Sequence, residues 1–285
     1  MTQHKIDTWT DYLNLTLSPQ FVSWAFRGQS DSNWSIQSTL SRYLEDFRVH
    51  KDCWELQEER IIRIFKRKAH HYLKNIPDDD DIVQWLSIMQ HHGAPTRLVD
   101  FTWSPFVAAF FALHRTTKES AVWAIYPAGF DYKPSIDLID GNRIDPKGLY
   151  PNTSKQFKDN FLQGKVPFVV TGEPKAMNDR LIAQSGTFAI PSVLDQPIEN
   201  IMNNYMNSSE IVVKFILNSD KIRDEAMSYF HVTNINESTL FPGIDGMARS
   251  LAYELEYHWA YNPKNMIMNK DFETPPYGLP TKIIK

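Results

Sequence analysis

Residues 90–102 have the sequence QHHGAPTRLVDFT, which marks the end of one predicted helix and the whole of the next predicted strand. An apolar helical pattern over residues 82–89 precedes the run. Gly93 is expected just after that helix, and Pro95 prevents its continuation. Thr96–Thr102 is then predicted to form a strand. A shorter run, FRGQ at residues 26–29, ends an earlier apolar segment, Phe21–Arg27, which is also predicted to be a strand.

Each run places an arginine among residues that are predicted to be core. A buried guanidinium is costly unless it meets an anion. Arg27 is therefore interpreted either as a clamp for a phosphate or carboxylate ligand, or as a structural residue paired with an internal acid such as Asp100. Arg97 and Asp100 are three positions apart, so in an ideal strand they face opposite sides and serve different partners.

The composition narrows the class of protein. The chain has 285 residues, 42% hydrophobic and 22% charged, with a net charge of −4, which does not favour a broad basic surface for nucleic acid. Its single cysteine, Cys53, cannot form an internal disulfide. With no apolar N-terminal segment and no long apolar run, the chain is predicted to be cytoplasmic, without contact with a membrane.

The remaining pattern predicts an α/β (α+β) fold, with a single mixed-sheet domain and a helical insertion after the first strand. Ser104 and Pro105 are expected to begin a helix that is apolar on all sides and therefore buried. Further strands are predicted at residues 121–126, 166–170, 180–190 and 211–217, and further helices at residues 8–17, 54–75, 219–230 and 244–259. The domain is predicted to span residues 1–262, with core motifs in 20–250, followed by a C-terminal tail at 263–285.

Other polar residues in apolar surroundings are candidates for the site. His91 and His92 end the predicted helix, where they either cap it or act as a general base or ligand contact. Gln184 lies in the predicted strand 180–190, where its amide binds a ligand or satisfies an edge strand. The chain has no P-loop, GxGxxG or GxSxG motif and no HExxH spacing, and no metal site is expected.

These runs resemble the FRG-domain family, which is named for its Phe-Arg-Gly motif. The likeness rests on FRGQ at 26–29, QHHGAPTRLVDFT at 90–102 and SPFVAAFFA at 104–112, with weaker matches at 180–188 and 240–246. It covers roughly residues 20–250.

A more remote likeness is to ADP-ribosyltransferases of the arginine-serine-glutamate type, which implies a split sheet. In those enzymes an arginine at a strand end holds the phosphates of NAD, and a late glutamate stabilises the oxocarbenium-like transition state. Arg27 corresponds to that arginine. Taken together with the polar residues noted above, this resemblance makes Arg27, Asp100, Gln184 and His91 the catalytic candidates, and Arg27, Gly28, Gln29, Thr96 and Arg97 the candidates for binding NAD.

Two departures leave the reaction open. The chain has no Ser-Thr-Ser run, and Gln184 stands where a glutamate is expected. Either another acid, Asp100 or Asp245, supplies the charge, or the cleft binds a nucleotide without this chemistry. The leading hypothesis is transfer of ADP-ribose, or cleavage of NAD, by a bacterial toxin or anti-phage effector with a protein or nucleic-acid acceptor. The alternatives are a non-enzymatic module that recognises a nucleotide signal or a protein, and a nuclease or nucleic-acid binder.

Overall fold

The computed structural model describes residues 1–116, 118–256, 258 and 260–268. Seven strands form one sheet in the order β1-β9-β4-β2-β3-β8-β7. The β1–β9 pair is parallel and the other neighbours are antiparallel, so the sheet is mixed. The predicted α/β class with one mixed sheet is confirmed.

The strands of the described residues are β1 (Thr2–Ile6), β2 (Ala25–Gln29), β3 (Val99–Thr102), β4 (Ser120–Ile125), β5 (Ile136–Asp137), β6 (Arg143–Ile144), β7 (Val169–Gly172), β8 (Gly186–Pro191), β9 (Val212–Leu217), β10 (Tyr261–Asn262) and β11 (Ile267–Met268). The helices are α1 (Trp9–Thr16), α2 (Thr39–Asp46), α3 (Trp54–Ala69), α4 (Ile82–His91), α5 (Pro105–Leu113), α6 (Ser154–Phe157), α7 (Asp179–Ala183), α8 (Ile198–Asn203), α9 (Ser208–Ile211), α10 (Ser219–Val232), α11 (Glu237–Leu240) and α12 (Ile244–Glu254).

Apolar clusters cover both faces of the sheet. One cluster contains α5 with residues of α1 and α10, and the other contains residues of α3, α4 and α8. Successive residues of a strand point to opposite faces. Accordingly Phe26 belongs to the first cluster and its neighbour Ala25 to the second. Burial on both faces explains why β4 and β8 are buried along their whole length.

Gly28 allows β2 and α5 to approach closely. A Cβ atom at this position would lie 1.9 Å from the carbonyl oxygen of Ala108 and 2.7 Å from the backbone nitrogen of Ala112. Neither backbone atom can move without displacing the helix, so only glycine fits. The Gly of the FRGQ run therefore serves the packing of the apolar helix on the sheet.

Within the seven-stranded sheet, β2 and β3 share the shortest run of paired residues. β2 pairs with β4 from Ala25 to Gln29, whereas β2 and β3 are in register only at Phe26 and Thr102. Beyond this pair the two central strands separate. Both halves still belong to one sheet, and an opening lies between residues 27–29 of β2 and residue 100 of β3.

Most predicted elements are present, with shifted ends. The insertion after β2 consists of α2, α3 and α4, and Gly93 follows the cap of α4 with a φ of 82°. Ser104 caps α5, and Pro105 is its first residue. The pattern missed β1, whose first four residues are all polar, and the short helix α2.

One predicted strand is wrong in its first half. Residues 179–183 form α7, and the strand begins only at Gly186. The side chain of Asn178 accepts a hydrogen bond from the backbone N–H of Leu181 at 2.9 Å, which begins a helix, and Ser185 takes a positive φ of 46° at the turn that follows. These local interactions override the apolar pattern.

The predicted tail is only partly described, since residues 269–285 lie outside the described residues. The β10–β11 hairpin crosses the predicted boundary at residue 262. Across the described chain, no helix combines the length and the apolar character that spanning a bilayer requires.

The mostly buried carboxylate of Asp131 is hydrogen-bonded to Thr171 of the edge strand β7. It accepts a hydrogen bond from the backbone N–H of Thr171 at 2.9 Å and another from the hydroxyl of that residue. Burial raises the pKa of Asp131 from 3.8 to about 7, although the two hydrogen bonds from Thr171 lower it in part. Below about pH 7 the protonated form of Asp131 therefore predominates in the folded protein.

We expect this carboxyl group to make folding stability depend on pH. Between pH 3.8 and about 7 the folded state binds more protons at Asp131 than the unfolded state, so stability falls as pH rises through this window. Asp131→Asn should flatten that decline in urea unfolding measured at several pH values. The exposed control Asp46→Asn should keep the wild-type slope, and equal slopes for all three proteins would contradict the prediction.

Candidate functional site

A cleft of about 700 Å³ lies where β2 and β3 separate. Its walls come from β2, the loop after β2, α2, β3 and the region around α7. Of the residues proposed from sequence, the cleft is lined by Arg27, Gly28, Gln29, Asp100 and Gln184. The structure thus brings together residues from three distant parts of the chain.

Arg27 is the central residue of this cleft. Its Nη1 donates a hydrogen bond of 2.7 Å to the backbone carbonyl of Asp100. Its Nε is buried and has no hydrogen-bond partner among the described residues. A buried donor without a partner costs about 1–3 kcal/mol. The guanidinium is thus fixed in place by one donor while another stays unsatisfied.

The cleft carries an excess of positive charge. Among the described residues that line it, the charged side chains are Arg27, Arg42, Arg180 and Asp100. Burial lowers the pKa of Arg27, Asp100 opposes this shift, and Arg42 adds to it. A guanidinium titrates far above neutral pH and stays charged. Three guanidiniums facing one carboxylate make an environment that favours an anion.

Two residues of the FRGQ run support the wall rather than presenting free groups. Gly28 packs against α5, as described above. Gln29 donates to the carbonyl of Ser35 at 3.0 Å and accepts from the indole N–H of Trp123 at 2.8 Å. Gln29 therefore ties the loop after β2 to β4.

Asp100 is oriented by a short chain of hydrogen bonds. Gln90 Nε2 donates to Asp100 Oδ1 at 2.7 Å, and the hydroxyl of Thr96 donates to Gln90 Oε1. Thr96 is buried outside the cleft, so it reaches the site only through Gln90. The polar residues of the 90–102 run thus position the carboxylate of Asp100.

Arg97 does not belong to the cleft. Its side chain is fully buried, and its Nε donates to both carboxylate oxygens of Glu58 on α3, at 2.8 and 3.0 Å. Its Nη1 donates to the carbonyls of Pro191 and Ser192, and its Nη2 donates to Glu58 and to the carbonyl of Phe161. Since its nitrogens all have partners inside the protein, the predicted contact between Arg97 and a ligand is corrected to a structural ion pair.

Gln184 and His91 lie elsewhere than the sequence pattern indicated. Gln184 caps α7 and donates to the carbonyl of Leu240 at 2.9 Å, so it does not occupy a strand. His91 is exposed at the end of α4 and is not among the residues that line the cleft. Partial burial lowers its pKa, and His92 and Arg180 lower it further.

Several site residues escaped the sequence analysis. Arg42 lies on α2, whose N-cap is Ser38, and Trp34 lies in the loop between β2 and α2. A hydroxyl cap before the apolar residues Leu40 and Leu44 was a usable signal for this helix. Arg180 lies at the start of the stretch predicted as a strand, and the pattern does not identify it as a site residue. Asp245, considered as a source of negative charge, is exposed and lies outside the cleft. The described residues hold no cluster of three metal-ligating side chains.

We expect the Glu58–Arg97 pair to be essential for stability. Glu58→Gln leaves the guanidinium of Arg97 buried without its counter-charge, which should cost roughly 3–5 kcal/mol in the free energy of unfolding. Urea denaturation measures the loss. The adjacent exposed variant Glu59→Gln is the matched control and should change stability by less than about 0.5 kcal/mol. Equal stabilities of the two variants would contradict a structural role.

Comparison with known proteins addresses the family. A family model described as FRG domain matches residues 22–121, a segment that includes Arg27, Arg42 and Asp100. Searches of curated proteins and of solved structures found no match. The matched segment contains β2, the three-helix insertion, β3 and the buried helix α5. Residues 22–121 of this chain are therefore an FRG domain.

Proposed function

We propose that the cleft binds the phosphate groups of a nucleotide, NAD or a related molecule, with Arg27 as the central clamp. The observation that carries this proposal is the buried Nε of Arg27, which has no partner in the described chain although Nη1 of the same guanidinium is anchored to the carbonyl of Asp100. A phosphate oxygen would satisfy that donor. Arg42 and Arg180 line the same cleft and would share the ligand's negative charge.

The size and the polarity of the cleft support this class of ligand. Pockets for small molecules commonly enclose about 300–1,000 Å³, and this one encloses about 700 Å³. A planar guanidinium can donate two parallel hydrogen bonds to a phosphate. The remote resemblance to ADP-ribosyltransferases also supports NAD, because Arg27 corresponds to the arginine that holds the phosphates in those enzymes.

A glycosyl-transfer reaction would depend on Asp100. A developing positive charge on the ribose needs a carboxylate nearby. Asp100 is the acid among the described residues that line the cleft, and Gln90 holds its carboxylate in one orientation. Gln184 is neutral and cannot supply this charge. If the cleft cleaves NAD, we propose that Asp100 stabilises the developing positive charge. If it does not, we propose that the domain is a recognition module for the nucleotide.

The wider roles follow from this activity. If the cleft turns over NAD, we propose that ADP-ribose is transferred to a protein or nucleic-acid acceptor. The protein would then act as a toxin or an anti-phage effector in the cytoplasm. A nuclease is less well supported, because no metal-ligating cluster occurs among the described residues.

Binding should depend on the arginines of the cleft. We expect Arg27→Lys to weaken binding of ADP-ribose or NAD roughly 10- to 100-fold, because a lysine keeps the charge and loses the fork. The exposed substitution Arg42→Gln should also weaken binding without affecting the fold. Calorimetric titration measures both. Arg63→Gln, an exposed change on α3, is the control, and unchanged affinity in both cleft variants would refute the proposal.

Turnover should depend on Asp100. If the wild-type protein releases nicotinamide from NAD, Asp100→Asn should reduce the rate at least about 100-fold, because the amide removes the negative charge. Asp224→Asn on α10 is the control for loss of an exposed carboxylate. Release by Asp100→Asn at the wild-type rate would exclude Asp100. Saturable binding without release by the wild-type protein would favour the recognition module.

A further inference from the structure

One tryptophan of the cleft is unusually exposed. Five of the seven tryptophans in the described residues are at most 5% exposed, whereas Trp34 is 55% and Trp103 is 42% exposed. The indole N–H of Trp103 donates to Glu173. Trp34 lines the arginine-rich cleft, and no other aromatic ring of the described chain stacks on it. A large apolar ring left in water at a binding cleft indicates a contact surface for a ligand.

The loop that carries Trp34 is held by hydrogen bonds before and after this residue in the chain. The backbone N–H of Trp34 donates to the carbonyl of Asp31 at 3.2 Å, and Asp31 Oδ1 accepts from Asn33. On the other side, the carbonyl of Ser35 accepts from Gln29 of β2 at 3.0 Å. Since the loop is already ordered, a ligand that stacks on Trp34 would pay little conformational entropy.

The same loop is also anchored to β9 and to the residue that precedes β4. The carbonyl of Ser32 accepts a hydrogen bond of 2.6 Å from Lys214 Nζ on β9, and its N–H donates to the carbonyl of Glu119 at 2.9 Å. The backbone that carries Trp34 thus has a fixed position relative to Arg27, which is anchored to β3. The cleft thus combines an exposed aromatic ring, carried on an ordered loop, with a cationic region.

Amide side chains complete the chemistry beside the ring. Asn33 and Gln37 line the cleft together with Trp34. Amides both donate and accept hydrogen bonds, which suits the mixed edge of a heterocyclic base. No aromatic surface is needed to bind inorganic phosphate or pyrophosphate. Its presence beside three guanidiniums points to a ligand with a base at one end and several negative charges at the other.

We infer that Trp34 is the stacking surface for the base of a nucleoside diphosphate or a dinucleotide, and that it sets the specificity of the cleft for these ligands over simple phosphates. This inference rests on the proposed function, since the arginines must hold the phosphates. Base stacking on an aromatic side chain is sequence-tolerant and strong enough to change affinity by about tenfold or more.

The test compares ADP with pyrophosphate as probes, because the two share the diphosphate and differ by the nucleoside. Calorimetric titration of the full chain should show ADP binding about tenfold or more tightly than pyrophosphate. Trp34→Ala should weaken ADP binding to the level of pyrophosphate and leave pyrophosphate binding unchanged. Trp34→Phe should retain most of the preference. Trp103→Ala, at the other exposed tryptophan, should behave as wild type.

The outcomes separate the two proposals. If both probes bind with equal affinity, depend on Arg27 and Arg42, and ignore Trp34→Ala, the stacking role is refuted and the phosphate clamp stands. If neither probe binds, or if binding is insensitive to the arginines, both proposals are overturned. Because Trp34 is exposed, its replacement should leave thermal unfolding unchanged, and an unfolding shift common to Trp34→Ala and Trp34→Phe would assign the ring a structural role instead.

Discussion

The hydrogen bond from Arg27 to the carbonyl of Asp100 holds together the part of the sheet on which the site depends. β2 and β3 share only one paired position, Phe26 with Thr102, and their backbones then separate. If the ladder continued, the backbone of β2 would satisfy the carbonyl of Asp100. Instead the side chain of Arg27 crosses the opening, and its Nη1 donates a hydrogen bond of 2.7 Å to that carbonyl. The same contact closes a gap in the sheet and fixes a guanidinium inside a cleft.

The two arginines of the FRG motifs show two solutions to one electrostatic problem. Arg97 finds its anion within the protein, since Glu58 comes from the helical insertion and three backbone carbonyls accept its other donors. Its position is therefore structural, linking α3 to the strands. Arg27 has a carbonyl on one side and an unsatisfied donor on the other. An arginine that the fold leaves incompletely paired is the one suited to an external anion.

The local pattern was a good guide wherever a short-range rule decided the structure. Gly93 after α4, Ser104 as the cap of α5 and the burial of α5 follow from cap chemistry and apolar content, and all three are confirmed. The same pattern failed at residues 180–184, where the cap by Asn178 formed a helix within an apolar run. It also missed α2 and therefore Arg42. Trp34 was not identified as a site residue, because nothing local distinguishes an exposed tryptophan from a buried one.

By itself, the sequence determined the α/β class, the FRG domain at residues 22–121 and the requirement that two arginines among apolar residues find anions. Which anion each one meets was decided only by the tertiary structure. Glu58 is far from Arg97 along the chain, and Arg42, Asp100 and Arg180 reach the cleft from three separate segments. Spacing along a chain constrains neighbours within one helix or strand, whereas the charge balance of a cleft depends on how those elements pack. For that reason only the structure separates the arginine that is paired inside the protein from the one that lines the cleft.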